Sequence, residues 1–240
     1  MADTPRNPGR VYGLGVGPGD PELITVKALR LLRACPVLAY PAPETGDSLA
    51  RAIVADHLPG DQVEIPIRMP LEVARFPAQA VYDQAAEEIG ARVAEGQDVA
   101  VLCQGDPFFY GSFMYLFGRL AEVCPVEVVP GVSSLTACAA ALGAPLAARN
   151  DTLAILPGPL PEDELAKALS TVEAAAIIKL GRHFGKVRRV LENLGLADNA
   201  RYVAHATMAD QAILPLAAVD AAAVPYFSMI LVHRRGAAWQ

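Results

Sequence analysis

The chain has 240 residues, 53% of them hydrophobic and 19% charged, with a formal net charge of −6. That is enough apolar chain for one large domain or two small ones with true cores, and the acidic balance argues against nucleic acid as a general partner. No apolar run reaches the roughly 18–20 residues of a membrane span, and Met1-Ala2-Asp3-Thr4-Pro5-Arg6 holds no signal-peptide core, so a soluble cytoplasmic protein without a membrane partner is expected.

Val11 to Val16 reads as a buried strand. Asp20 is placed to cap a helix with Pro21 at its first position and Glu22 in its first turn, running to about Arg33 and stopping before Cys35-Pro36. Val37-Leu38-Ala39-Tyr40 is a second strand, closed by Pro41 and Pro43. Ser48 caps a helix through Asp56, Gln62 to Ile67 is a short strand, and Phe76 to Glu95 is a long amphipathic helix stopped by Gly96. Asp98 to Cys103 is a strand, Ser112 to Ala121 a helix, and Val126 to Val129 a fifth strand. Continuous apolar strands alternating with helices predict an α/β domain with a doubly wound, mostly parallel sheet.

Beyond Pro130-Gly131 the pattern changes, so the expected domains are residues 1–130 and 131–240. Leu153 to Leu156 and Ala174 to Leu180 are strands; Glu162 to about Ser170 and Lys186 to Leu194 are helices. Arg201 to Ala204, Gln211 to Leu214 and Phe227 to His233 follow as strands with short connections, which predicts a mixed α+β domain. Cys35, Cys103, Cys124 and Cys138 form no Cys-x-x-Cys pair and read as reduced, small hydrophobes. His57, His183, His205 and His233 share no metal-ligand spacing, so no metal site is expected.

Two of the strands end in glycine turns: Gly13-Leu14-Gly15-Val16-Gly17-Pro18-Gly19-Asp20 and Gly105-Asp106-Pro107-Phe108-Phe109-Tyr110-Gly111. Glycines at the carboxyl end of a strand let backbone approach a ligand, and that end is where open α/β sheets bind them. The Walker pattern is absent, and Gly-x-Gly-x-Gly-Pro is not the dinucleotide fingerprint. Asp20 stands where a helix N-terminus would receive an anion, and Asp106 repeats the arrangement. Two acidic turns suit a ligand that is cationic or rich in donors. S-adenosylmethionine, with its sulfonium, ammonium and ribose hydroxyls, fits; simple capping by the two aspartates is the other reading.

Val11 to Thr25, Gly105-Asp106-Pro107 and Val129-Pro130-Gly131-Val132-Ser133-Ser134 resemble, in order, three signatures of the tetrapyrrole methylases. The resemblance covers nearly the whole chain. It implies a two-domain fold, S-adenosylmethionine folded up between the domains, and a homodimer. Within the family, Gly105 to Leu116, Arg75-Phe76-Pro77-Ala78-Gln79, Lys179-Leu180-Gly181-Arg182 and Ala206-Thr207-Met208-Ala209-Asp210-Gln211 are similar to the precorrin-2 C(20)-methyltransferase branch. The uroporphyrinogen-III branch usually carries an arginine where this chain has Ser112.

By that resemblance the cofactor contacts are Pro18, Gln104, Gly105, Asp106, Phe109, Ser133, Ser134, Lys179 through its backbone, and Ala206. The implied substrate, the carboxylate-rich tetrapyrrole precorrin-2, needs a local basic patch on an acidic protein. Arg149, Arg182 and His183 lead the candidates, with Lys186, Arg188 and Arg189 and, from the first domain, Arg68 and Arg75. The implied reaction is direct methyl transfer to the C-20 meso carbon in cobalamin biosynthesis. Asp106 and Tyr110 are placed foremost as catalytic residues, with Asp20 and His183 also able to take a proton, and Phe108, Phe109, Phe113 and Tyr115 as an apolar wall. The alternatives are the same reaction on a cobalt-containing ring, another acceptor such as a diphthamide precursor or ribosomal RNA, and a non-catalytic S-adenosylmethionine-binding module.

Overall fold

The computed structural model describes residues 8–69 and 77–238. Arg75 and Phe76, and with them the expected start of the long helix, lie outside the described residues. The chain divides into two compact units, residues 1–133 and 134–240.

In the first unit, strands β1 (Val11–Gly15), β2 (Val37–Pro43), β3 (Val63–Met69), β4 (Val99–Cys103) and β5 (Val126–Val129) form one sheet in the order β3-β2-β4-β1-β5. Every neighbouring pair is parallel. Successive side chains of a strand point to opposite faces, so a sheet covered on both sides needs strands that are apolar throughout. Val37, Ala39, Val99 and Val101 pack on one face with Ile89 and Val93 of α3 (Pro77–Ala94) and with Leu116 and Leu120 of α4 (Phe113–Leu120). The alternate residues Leu14, Leu38, Ala100 and Leu102 pack on the other face with Leu31 and Leu32 of α1 (Val26–Ala34) and Ile53 of α2 (Leu49–Ile53).

The start of α1 differs from expectation. Asp20 caps only a single 3-10 turn, Pro21–Leu23, its Oδ1 accepting from the Glu22 amide at 2.8 Å. Ile24 is extended, and the helix starts behind a second cap, Thr25, whose Oγ1 accepts from the Ala28 amide at 3.2 Å. Thr25→Ala is therefore expected to cost about 1 kcal/mol in urea unfolding, whereas Asp20→Ala should leave α1 in place by far-ultraviolet circular dichroism.

Strand β2 continues through both of its prolines. It pairs with β3 along its full length but with β4 only over Val37–Ala39, and prolines are tolerated where one flank of the ladder needs no N–H. Phe113 is 1% exposed, so it belongs to the core and not to an exposed apolar wall. A Cβ on Gly13 would lie 2.3 Å from its ring, so the glycine in β1 is what lets Phe113 seat against the sheet.

In the second unit, β6 (Leu153–Pro157), β7 (Ala174–Ile178), β8 (Ala200–Ala204), β9 (Ala212–Pro215) and β10 (Ser228–His233) form a mixed sheet in the order β6-β7-β10-β8-β9. Only β6 and β7 pair in parallel. Because β7 and β8 each run against β10, the carboxyl ends of β6, β7 and β8 gather at one end of the sheet. Helices α6 (Glu162–Thr171) and α7 (Phe184–Asn193) supply Leu165, Leu169, Phe184, Val187 and Leu191 to the core over Ile177, Tyr202 and Ile230. Helix α5 (Ser134–Leu142), which no sequence pattern announced, lies against β8. Strand β7 stops two residues short of Leu180 because Lys179 turns left-handed, with φ +57°.

Candidate active site

In the first sheet, β1 and β4 are neighbours, yet the chain leaves β1 toward the α1 face and β4 toward the α4 face. The two glycine turns therefore flank a topological switch point at the carboxyl ends of parallel strands, the usual ligand position in open α/β sheets. The turns are joined directly. Gly17 and Gly105 form an antiparallel bridge, the Gly105 amide donating to the Gly17 carbonyl at 2.7 Å and the Gly17 amide to the Gly105 carbonyl at 3.3 Å. Both have positive φ, +81° and +69°, which glycine adopts without strain.

The turn after β5 completes the group. A Cβ on Gly15 would lie 2.5 Å from the Gly131 nitrogen, and one on Gly131 would lie 2.1 Å from the Gly105 carbonyl oxygen. These two glycines are thus required by the approach of the turns to one another, before any ligand is considered. Asp106 ties the three together. Its Oδ1 accepts from the Phe108 and Phe109 amides at 2.9 and 3.1 Å, and its Oδ2 accepts from the Gly131 amide at 3.1 Å. Pro18 is buried, and its carbonyl accepts from Gln104 Nε2 at 3.3 Å. Phe109 is half-buried, edge-on to Tyr110 at 5.2 Å between ring centroids. Tyr110 is 47% exposed and left-handed, with φ +54°. Phe108, Met114 and Tyr115 are also exposed, the Phe108 ring lying against Phe113 and Phe117 and the Tyr115 ring against Tyr82. Ser133 closes the turn after β5, and Ser134 is the first residue of α5.

The second unit carries its own cluster of turns. After β6, a Cβ on Gly158 would lie 3.0 Å from the Lys179 carbonyl oxygen. After β7 come Lys179 and Gly181, both with positive φ, then Arg182 and His183. Arg182 Nε lies 3.4 Å from His183 Nε2. Burial, with the Lys186 and Arg182 cations beside it, pushes the His183 pKa below that of a free imidazole. After β8, Ala206 is buried between His205 and Thr207, two left-handed residues with φ +48° and +70°.

Arg149 stands apart from Arg182 and His183. It precedes β6 in a turn fixed by Asp151, whose carboxylate accepts from the Ala148 amide, from His233 Nε2 at the end of β10, and from both Arg235 terminal nitrogens at 2.9 and 3.0 Å. The Arg235 guanidinium, first among these partners, holds the Asp151 carboxyl well below the usual carboxylate range. Arg149 therefore lies at the end of the second sheet opposite to that of Arg182 and His183. Lys186 donates to the Leu160 carbonyl, and Arg189 pairs with Glu162 at 2.6 Å, so neither matches the picture of an uncommitted basic patch.

Residues 10–220 match the tetrapyrrole (corrin/porphyrin) methylase family. The chain belongs to it. Among curated relatives of this methylase is a precorrin-2 C(20)-methyltransferase of Sinorhizobium sp, 43% identical over 232 residues that cover 93% of this chain and 95% of the relative. Another is cobalamin biosynthesis protein CobIJ of Mycobacterium bovis, 40% identical over 93% of this chain; the chain spans 46% of that longer protein. A cobalt-precorrin-2 C(20)-methyltransferase of Salmonella typhimurium is 35% identical over 95% of this chain and 97% of the relative. A solved uroporphyrin-III C-methyl transferase of Thermus thermophilus, complexed with S-adenyl homocysteine, matches with a TM-score of 0.66 and 26% identity over 94% of this chain and 92% of its own.

Among the described residues of this methylase, no group of three or more His, Cys, Asp or Glu is placed to hold a metal ion, and no helix is long and apolar enough to cross a membrane. Sequence reading missed the left-handed backbone at Tyr110, Lys179, His205 and Thr207, because no side chain pattern marks such a conformation outside glycine. It also missed the bond from Asp106 to Gly131, which spans 25 positions.

Proposed function

We propose that this methylase uses S-adenosylmethionine to methylate the C-20 meso carbon of precorrin-2, giving precorrin-3A in cobalamin biosynthesis. The observation that carries the cofactor reading is the meeting of three turns at the switch point of the parallel sheet. None of them, over residues 13–20, 104–112 and 130–133, contains a lysine or arginine to neutralise a phosphate, whereas backbone carbonyls and carboxylates there suit a cationic ligand with many donors. Pro18, Gln104, Gly105, Asp106, Phe109, Ser133 and Ser134, with Lys179 and Ala206 through their backbone, are the proposed cofactor contacts. The acceptor reading is supported by the relatives named above.

When bound, S-adenosylmethionine supplies an activated methyl group. The chain's part is to orient and desolvate. Phe108, Tyr110, Met114 and Tyr115, exposed in and just after the second glycine turn, are the proposed apolar contacts for a flat macrocycle, and the Arg182 guanidinium suits its carboxylates, with the His183 imidazole as a further N–H donor. The reading does not depend on Arg149. The Asp106 carboxylate already accepts three backbone N–H groups, so its proposed role is to hold the turns, and the exposed Tyr110 is the proposed catalytic residue beside the reacting carbon, with its phenol as a hydrogen-bond donor. A homodimer and a cytoplasmic location belong to the same proposal, supported by the family resemblance.

The Salmonella relative favours a second substrate, the cobalt-containing ring. An anaerobic assay with methyl-labelled S-adenosylmethionine, offering metal-free precorrin-2 and its cobalt complex side by side, separates the two. Label in the metal-free pigment is the expected result, and label in the cobalt complex alone moves the chain to the other substrate. Label in neither, with S-adenosylhomocysteine still bound in calorimetry, overturns the enzymatic reading in favour of a binding module.

A further inference from the structure

Strands β8 and β9 pair from Ala204↔Ala212 onward, so residues 205–211 form the loop of an antiparallel hairpin. Two residues of that loop, His205 and Thr207, hold positive φ. For a β-branched threonine this is a true outlier, and such residues persist only where the surroundings over-determine them. Contacts within and across the loop do so here. The His205 amide donates to the Phe227 carbonyl at 2.8 Å, and the Met208 amide to the His205 carbonyl at 2.9 Å. The Thr207 amide donates to Gln211 Oε1 at 2.8 Å. Across the mouth of the loop, His205 Nδ1 meets Asp210 Oδ2 at 2.6 Å.

That last contact is unlike the others. It joins a ring only 25% exposed to a carboxylate that is 68% exposed, and surface pairs of this kind contribute little to global stability. The short distance and the strained backbone it spans need a local reason. The loop sits at the end of the sheet that also carries the left-handed Lys179 and Gly181, and Ala206 is enclosed between the two strained residues.

We propose that His205 and Asp210 form a clasp that shapes the 205–211 loop to receive the cofactor at Ala206, acting as positioning residues. The inference rests on the reading of Ala206 as a cofactor contact. The imidazole Nδ1–H donates to the carboxylate, and the closed ring of contacts presets the backbone before the ligand arrives, lowering the ordering cost of binding.

The test is calorimetric titration of the intact protein with S-adenosylhomocysteine, with thermal unfolding measured alongside. Asp210→Ala and His205→Ala are expected to raise Kd about tenfold, the scale of one charge-assisted hydrogen bond, while the unfolding midpoint stays near that of the wild type. His205→Asn is expected to bind within about threefold of wild type, because asparagine tolerates a left-handed backbone and its amide N–H can still reach Asp210. His205→Gly keeps the backbone freedom without the clasp and is expected to bind as weakly as the alanine variant. Wild-type affinity in both Asp210→Ala and His205→Ala would overturn the clasp, as would failure of His205→Asn to restore binding. Absence of binding by the wild type would instead overturn the cofactor reading itself.

Discussion

Asp106→Ala is expected to lower the unfolding free energy by about 2–4 kcal/mol and to abolish measurable binding of S-adenosylhomocysteine. The side chain accepts three backbone N–H groups, two from its own turn and one from the turn after β5. Alanine leaves all three donors without a protein partner, and water can replace only those it can reach. Asp106→Asn separates the two functions of the group. One amide oxygen can still serve Phe108 and Phe109, but the amide nitrogen then faces the Gly131 N–H, donor against donor. The asparagine variant should therefore lose about half of the stability lost in the alanine variant, with weakened but detectable binding. Urea unfolding and calorimetry on the same preparations check both points. An alanine variant of wild-type stability that binds cofactor yet fails to turn over would return Asp106 to a direct chemical role.

Gly131→Ala should be more damaging. The added Cβ would lie 2.1 Å from the Gly105 carbonyl oxygen, with the Gly15 backbone at 2.7 Å on another side. Neither neighbour is a flexible side chain that can rotate away, so the turn after β5 must move, and a loss of about 3–5 kcal/mol is expected. Gly90→Ala in α3 is the matched control. Its Cβ would meet nothing within 4 Å, and alanine in a helix interior is favoured by about 0.5–1 kcal/mol over glycine. Opposite signs of the two changes in urea unfolding would show that space between backbones, and not glycine content, governs the first.

The first sheet was legible because its central strands are buried on both faces and so appear as unbroken apolar runs such as Val99 to Cys103, while the edge strand β3 alternates exposed and buried residues. The mixed character of the second sheet followed from the short connections around β8, β9 and β10. What escaped has local causes. Two capping residues in succession, Asp20 and Thr25, made one helix of a 3-10 turn and a helix. Helix α5 is built almost wholly of small apolar residues and shows no polar stripe to mark its period. Pro41 and Pro43 ended β2 on paper, since the one-sided pairing that tolerates them is a property of the sheet. At the site, the turns and their acidic character were readable. The reason for their glycines was only partly so, because Gly15 and Gly131 make room for neighbouring backbone as well as facing the switch point. The isolated basic residues after β7 looked like a patch, but Lys186 and Arg189 are bonded within their own unit.

The place of β10 sets the order in which the two sheets close. The first sheet is complete in sequence once Val129 has been synthesised, so that unit can close while the rest of the chain is still being translated. The second sheet cannot. Its middle strand, flanked by β7 and β8, is the last of the described strands to be synthesised. Until Ser228–His233 leaves the ribosome, the β6–β7 pair and the β8–β9 hairpin are two half-sheets, each with an apolar edge exposed. A nascent chain stalled before residue 228 should therefore carry a finished first unit and a second one open to chaperones and to mispairing, and emergence of Ser228–His233 joins the two half-sheets of the second unit in a single step.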